Sequence, residues 1–407
     1  MDRRSLTNLL LPVLLLMSSG VAASECDARN PIRNPILRTF NVRTYGAKGD
    51  GKTNDTAAIK AAITAAGIGT GNTVLFPEGD YLYDQELTVN GIFLRGESGA
   101  RLLSDSINGY VRMIGRGGSV SDLSFGLPVS INGKLIPLNL IIVEASNSSV
   151  VRNRFSLGFD PLVRHYCIYV QHAVTVLISD NVIGGPGGLL LKDTNNCTVT
   201  GNRIFGSQLV TSITFHDIGV VSDNGTNNSI TNNTIICTTD GKIPTAGVIV
   251  ENKDAGTTVS GNTIQQFTAG LVVQTSSNCR LLRNTIESGL SQFTRGVIDL
   301  EASGNVVADQ NTISQASNDG IRSESMTGAL TISRNKLRNC GVFLGQPASA
   351  SVIYNDSPSA VNIRIEGNEY TGETSGLNYF IECLQPSPPA VISGNSTNTL
   401  LRNRIGP

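Results

Sequence analysis

The sequence predicts an all-β solenoid, a parallel β-helix of about ten coils with a capping helix at its N-terminal end. Three observations predict it. Ten times an Asn closes a short apolar run, mostly with an apolar or aromatic residue two positions on, as in Asn153-Arg-Phe155, Asn233-Thr-Ile235 and Asn335-Lys-Leu337. These Asn residues, from Asn153 to Asn395, lie 21 to 33 residues apart with a mean near 27. In most units a Gly followed by β-branched or aliphatic residues precedes the Asn by 14 or 15 residues, as in Gly219-Val-Val221, Gly247-Val-Ile-Val250 and Gly270-Leu-Val-Val273. No helical period competes across the repeats, and short Val/Ile/Thr runs between Gly, Asn and Ser clusters are strand signals. One such unit cannot bury its own apolar face, so the units must stack.

The elements follow in chain order. Arg3-Arg4 leads an apolar stretch from Leu9 to Met17, and small residues follow at Val21-Ala22-Ala23-Ser24. This pattern predicts an export signal over 1–24, with an apolar stretch too short for a stable membrane span. Arg3-Arg4-Ser5-Leu6 also loosely fits a twin-arginine signal, whereas Glu25 before Cys26 is the wrong neighbour for lipidation. Residues 25–100 form a leading segment with the first strands and a helix from Asp55 or Thr56 to about Ala66, ended by Gly67. Such a helix hides the unpaired strand edges of a first coil, which gives Asp50, Asp55 and Glu78 structural roles. Residues 101–407 are the coils, with the repeat itself filling 139–405. The Asn of each turn is expected to take the left-handed conformation and to ladder with the Asn of the next coil.

Composition narrows the function. A net charge of −1 argues against a nucleic-acid binder driven by bulk electrostatics. The chain has no Trp and only 9 Tyr, a shortage of the aromatic faces on which sugar rings stack. Seven Cys leave at least one unpaired in a monomer, and Cys197 and Cys279 share a register three coils apart, too far to bond. They read as buried small hydrophobes. Gly46-Ala-Lys-Gly-Asp-Gly51-Lys52-Thr53 satisfies a phosphate-loop pattern, but the alternating strand and helix units that a nucleotide fold needs downstream are missing.

Residues 40–83, with Tyr45-Gly-Ala-Lys-Gly-Asp-Gly-Lys-Thr-Asn-Asp-Thr56, an Ala-rich helix and Thr73-Val-Leu-Phe-Pro-Glu-Gly-Asp-Tyr81, closely resemble the leading segment of the pectate-lyase-like superfamily. The resemblance implies a right-handed parallel β-helix. It implies no single activity, since the superfamily includes pectate lyases, polygalacturonases, glucanases, mannuronan epimerases and phage tailspike depolymerases. The polygalacturonase signatures Asn-Thr-Asp, Asp-Asp and Gly-His-Gly are missing, as is the Trp-Ile-Asp-His of pectate lyases. The epimerase Asp-Pro-His has a weak echo in Gly158-Phe-Asp160-Pro161-Leu162, with His165 three residues late.

Alignment of the coils on the strand-start Gly, as position one, locates the candidate chemistry. Position two is an interior ladder (Ile168, Leu189, Val220, Val248, Leu271, Val297, Ile321). Position three points outward yet reads Tyr169, Leu190, Val221, Ile249, Val272, Ile298, Arg322, Ile353, an apolar stripe that is either covered, an oligomer face or a groove floor. Polar groups follow at positions five and six: Gln171-His172, Lys192-Asp193, Asp223-Asn224 and Glu251-Asn252. Equal positions in adjacent coils lie about 5 Å apart, so these residues form one patch. His165, His216 and Asp217 flank it, and all three His of the chain fall within 165–216.

Proton abstraction beside a uronate carboxylate needs a base and groups that stabilise an enolate-like anion. Lys192 or His172 is the candidate base and Tyr169 a proton donor, with His165, His216, Asp217 and Gln171 binding substrate. Asp193, Asp223 and Glu251 supply the paired carboxylates of a hydrolase instead, or oxygen ligands for Ca²⁺; no cofactor is required and the metal ligands stay unassigned. The favoured expectation is a secreted or periplasmic lyase or epimerase on an acidic polysaccharide, without nucleic acid and without a membrane anchor once the signal is removed. A glycoside hydrolase, a non-catalytic surface or adhesion module assembling through the apolar stripe, and an enzyme for a small apolar substrate are the alternatives.

Overall fold

The computed structural model describes residues 36–406 except 105, 127–138, 157–164, 186, 207–218, 238–245, 289–295, 342–349, 373–376, 385–389 and 400. The expected signal at 1–24 and Cys26 lie outside the described residues. From Leu37 onward the chain is one compact unit. It winds through three parallel sheets of 14, 14 and 13 strands, named A, B and C here. One coil shows the order: Gly187–Lys192 in sheet C, Thr198–Thr200 in sheet A and Arg203–Gly206 in sheet B. Every pairing between coils is parallel, and Val199, for example, meets Ile178 on one side and Ile230 on the other. The inward side chains fill one continuous core from Val42 to Ile381.

The coils number about thirteen rather than ten, because residues 39–126 are already coils of the same three sheets. They escape the Asn count for a local reason. The turn position occupied by Asn153 is filled one coil earlier by buried Leu123, whose N–H donates to Asn153 Oδ1 at 3.1 Å.

From Asn153 to Asn395 the Asn side chains form an unbroken ladder. Asn262 Oδ1 accepts the backbone N–H of Asn233 at 2.9 Å and its Nδ2 at 3.0 Å. Asn262 Nδ2 in turn donates to Ile230 C=O at 2.9 Å and to Asn284 Oδ1 at 3.0 Å. The Asn itself is not left-handed, contrary to the sequence expectation. The positive φ falls on the residue before it: Arg152, Asp180, Asn232, Arg283, Gln310 and Arg334, or a Gly in the other coils. The Asn is needed for its buried amide, whose oxygen satisfies the turn N–H of the Asn one coil earlier while its nitrogen ties to a sheet A carbonyl.

The strand-start Gly has a steric cause. A Cβ on Gly270 would lie 2.3 Å from Ile286 Cγ2, and one on Gly247 would lie 2.4 Å from Ile264 Cγ2, so the sheet C backbone presses against the sheet B isoleucines.

The helix Thr56–Ala66 buries Ile59, Ala62 and Ala66 against the first coil, as expected of a cap. Asp55 sits at its start without bonding a helix amide; its carboxylate accepts from Lys48 N (2.7 Å) and Gly49 N (2.9 Å). Asp50 accepts from Lys52 N and Thr53 N at 2.9 and 2.8 Å, which holds its carboxyl down at about 2. Carboxylates thus occupy four of the amides with which a phosphate loop would grip its ligand. The six described cysteines are all buried thiols, and burial raises those of Cys167, Cys197, Cys279, Cys340 and Cys383, so they pack as small apolar groups.

Candidate functional site on sheet C

Sheet C brings the sequence-predicted residues together. Gln171, Lys192, Asp223 and Glu251 are in register on four successive coils. Lys192 Nζ donates to Asp223 Oδ2 at 2.9 Å. That bond, with Asp193 adding to it, raises the ammonium above the usual lysine range. A lysine held so firmly protonated is a stabiliser of anions rather than a base at neutral pH. Gln171 Nε2 donates to Glu144 Oε1 at 2.5 Å, and Glu144 pairs with Arg112 at 2.7 Å. Both neighbours of Lys192 in the column are therefore fixed in place.

His172 and Asp193 follow their strands in left-handed turns, with φ of 52° each. His172 Nδ1 lies 3.6 Å from Asp193 Oδ2, and Asn224 Nδ2 donates to Asp193 Oδ1 at 2.5 Å. The imidazole is well exposed, with a carboxylate beside one nitrogen. Tyr169 stacks on Tyr166 with ring centroids 6.4 Å apart. Burial raises its phenol and the Lys192 charge opposes the rise, so the hydroxyl keeps its proton near neutrality within the field of the ammonium. Only the backbone of His165 is described, at the start of the strand His165–Gln171. His216, Asp217 and Asp160 lie outside the described residues.

The apolar stripe differs from its sequence reading in two ways. Val221, Ile249 and Val272 form a second buried cluster with Ala246 and Ala269, and Tyr166 and Leu190 pack on it. Their outward faces are thus covered within the chain. Ile298 and Ile353 do not belong to the stripe but face the core, paired with Leu271 and Ile321. For Ile298 an extra residue is the cause: Val297 C=O accepts both Gly270 N–H (2.8 Å) and Leu271 N–H (3.1 Å), and Ile298 takes the interior place assigned to Val297, whereas Ile353 faces inward because it pairs with Ile321. A one-residue shift exchanges the two faces of a strand. The outward column therefore continues from Val272 as Asp299, Arg322, Tyr354, Glu382 and Arg404.

This late column carries charge that the sequence reading missed. Asp319, 4% exposed, accepts Ser351 N–H at 2.7 Å, and Ser351 Oγ donates to Glu382 Oε2 at 2.8 Å. Burial pushes the Asp319 carboxyl up to about 7, with Glu382 and Asp299 acting in the same direction against Ser351 N–H and Arg322. A signal existed in the sequence: Asp319 precedes Gly320 where Ala246 and Ala269 precede Gly247 and Gly270.

Because Asp319 takes up its proton more readily folded than unfolded, its contribution to stability is complete below about pH 4 and lost as the pH rises to about 7. Asp319→Asn is expected to remove that loss, gaining about 4 kcal/mol over wild type at pH 8 relative to pH 4. Urea unfolding of both chains at the two pH values reads the difference; parallel profiles would show that the carboxyl is not protonated on folding.

As for metals, no group of three or more His, Cys, Asp or Glu among the described residues is placed to hold an ion. Asp223, offered as a Ca²⁺ ligand, is occupied by Lys192. No helix among the described residues is long and apolar enough to cross a membrane.

Comparison with known proteins agrees with this fold. Residues 39–125 match the family described as rhamnogalacturonase A/epimerase, pectate lyase-like. Residues 139–288 and 242–405 match the right-handed β-helix region. Alginate lyase 7 of Azotobacter vinelandii is 60% identical over 42 residues, covering 10% of this chain and 5% of that protein. The chain thus matches only a small part of this relative. Among solved structures, the Streptococcus pneumoniae surface adhesin PfbA superposes with a TM-score of 0.57 at 14% identity, covering 90% of this chain and 99% of that one. The A-module of the Azotobacter vinelandii mannuronan C-5 epimerase AlgE6 gives 0.53 at 17% identity, covering 88% and 99%. At such identities these likenesses carry the fold alone. With matched regions running from residue 39 to residue 405 and three parallel sheets beneath them, the chain belongs to the right-handed parallel β-helix proteins of the pectate-lyase-like superfamily.

Proposed function

We propose that this chain is an exported carbohydrate-active enzyme, a lyase or epimerase acting on a uronate-containing polysaccharide at the outer face of sheet C. The observation that carries the reading is the Lys192 ammonium, held protonated by Asp223 and set within the field of the Tyr169 phenol. The reaction begins with removal of the proton α to the uronate carboxylate. His172 takes that proton, and Lys192 stabilises the negative charge that moves onto the carboxylate oxygens. In a lyase the electron pair returns, the bond to the leaving glycosidic oxygen breaks, and Tyr169 gives that oxygen its proton. In an epimerase a proton is returned to the opposite face of the same carbon. The relatives whose names mention alginate lyase and mannuronan epimerase support this class of substrate.

A second reading has its own observation. Asp319, titrating near 7 beside Asp299 and Glu382, has the character of a general acid with carboxylate partners, which suits glycoside hydrolysis. One experiment separates the readings: incubate the chain from about residue 25 with uronate-containing and neutral polysaccharides, with and without calcium, and weigh the products. Unsaturated fragments, or an epimer seen by NMR at unchanged mass, support the first reading. Water-added fragments overturn it in favour of the late carboxylates. No change in mass or configuration overturns both, leaving a non-catalytic surface module or an enzyme for a small apolar substrate.

A further inference from the structure

The outer face of sheet A, around the coil from the candidate site, carries a groove of about 530 Å³. That volume lies within the usual range of ligand sites, about 300–1,000 Å³. Its floor is built in register: Thr73, Phe93, Ser119 and Ser149 stand on four successive coils. Phe93 is half-buried on the outward face, and no aromatic ring or cation stacks on it among the described residues. Beside it Arg95 is exposed and makes no hydrogen bond or ion pair among the described residues; the nearby Asp122 feels its charge but is clamped by Arg152 at 2.7 and 2.8 Å. Ser149 Oγ donates to Ser119 Oγ at 2.9 Å, which leaves the Ser119 hydroxyl hydrogen free to point into the groove. Asn147, exposed in the left-handed turn joining sheet C to sheet A, closes the rim.

We infer that this groove is an auxiliary binding site for an anionic oligosaccharide, separate from the catalytic face. Each group matches one part of such a ligand. The free ring of Phe93 takes the C–H face of a pyranose. The unpaired Arg95 guanidinium takes a carboxylate, for which its planar fork is suited. The hydroxyls of Thr73 and Ser119 and the amide of Asn147 meet sugar hydroxyls. The half-buried Phe and the unpaired Arg, two residues apart on one strand face, set this groove apart from the coils that follow on sheet A. There, from Ser149 to Ser260, the outward positions are mostly Ser and Thr, some bonded to each other, as Thr231 is to Thr200 at 3.1 Å. The coil that carries Ser149 also carries Ile142, which pairs with Tyr169, so the groove adjoins the candidate site across one turn. A polymer held in the groove stays next to sheet C between turnovers. The choice of a uronate rests on the proposed function; the groove itself does not.

The absence of Trp from the chain gives a direct test. Phe93→Trp places a single indole in the groove, and its emission is followed during titration with six-sugar oligomers of mannuronate, guluronate or galacturonate and with a neutral glucan hexamer. A saturable change with a uronate oligomer, weakened at least tenfold by adding Arg95→Gln and not produced by the glucan, is the expected result. Calorimetry of the wild-type chain against Arg95→Gln alone checks that the indole did not create the site. Equal binding isotherms for those two chains, both folded by circular dichroism, would overturn the inference, as would equal binding of the neutral glucan. Turnover of a short substrate is expected to be unchanged by Arg95→Gln. Binding without any turnover would therefore sink the proposed function while leaving the groove intact, and turnover without binding would do the reverse.

Discussion

Asn262→Ala is expected to lower the unfolding free energy by about 3 kcal/mol, one buried backbone N–H left unpaired at about 1–3 kcal/mol and one further hydrogen bond lost at about 0.5–1.5 kcal/mol. The unpaired group is the Asn233 N–H; the Ile230 C=O, in a paired strand, loses one of its donors. Asn233 Nδ2 keeps its bond to Val199 C=O and Asn284 Oδ1 keeps the Asn262 N–H, so the damage does not spread along the ladder. Asn262→Asp is expected to cost at least as much, since it loses the donor to Ile230 and introduces a buried charge. Asn395 is the control. It is the last and partly exposed member, so water can replace its amide, and Asn395→Ala should cost about 1 kcal/mol. Urea unfolding monitored by circular dichroism reads all three variants. A mid-ladder variant as stable as wild type would mean that the buried Asn column is not what holds the coils in register. A reduced denaturant slope in the same experiment would show that the solenoid has split into two cooperative blocks.

Lys192→Met is expected to reduce turnover of the uronate polymer at least 100-fold, the scale of removing one anion-stabilising group from a reaction centre. Folding should hardly notice the change. The Lys192–Asp223 pair lies at the surface, with the lysine side chain 42% exposed, and such pairs contribute about 0–1 kcal/mol. The separation of the two effects is the point of the experiment: initial rates fall while the melting temperature stays put. Asp223→Asn sharpens it. Without its carboxylate the ammonium loses the bond that raises it, so the alkaline limb of the pH–rate profile should move to lower pH. Unchanged rates in Lys192→Met, or a profile that does not move in Asp223→Asn, would remove Lys192 from the mechanism.

The sequence disclosed most where the physics repeats. From Asn153 onward successive coils place a buried amide at the same turn, and most place a residue without Cβ where sheet C presses on sheet B. The periodic Asn and Gly therefore announced a β-helix before any fold was in view. The same pattern put Gln171, Lys192, Asp223 and Glu251 in one column, because equal positions in successive coils must stack. It also gave the stripe Leu190–Val221–Ile249–Val272 on one face, and left open whether something covered it.

Tertiary structure decided what repetition does not encode. The left-handed residue precedes the ladder Asn, a choice of backbone geometry that composition at the turn does not settle. The Asn count passes over the coils before residue 139, in one of which Leu123 stands where the Asn would be. The extra residue at Val297 turned Ile298 inward and Asp299 outward, and no local pattern warns of a single insertion that reverses a strand. Asp319 gained its character from burial and from Ser351 and Glu382 one and two coils away. The Phe93 and Arg95 groove likewise depends on which partners are absent around those side chains. Repetition along the chain displays what successive coils share. Charge, burial and open space at one place on the solenoid depend on the particular neighbours stacked there, and only the folded chain assembles those.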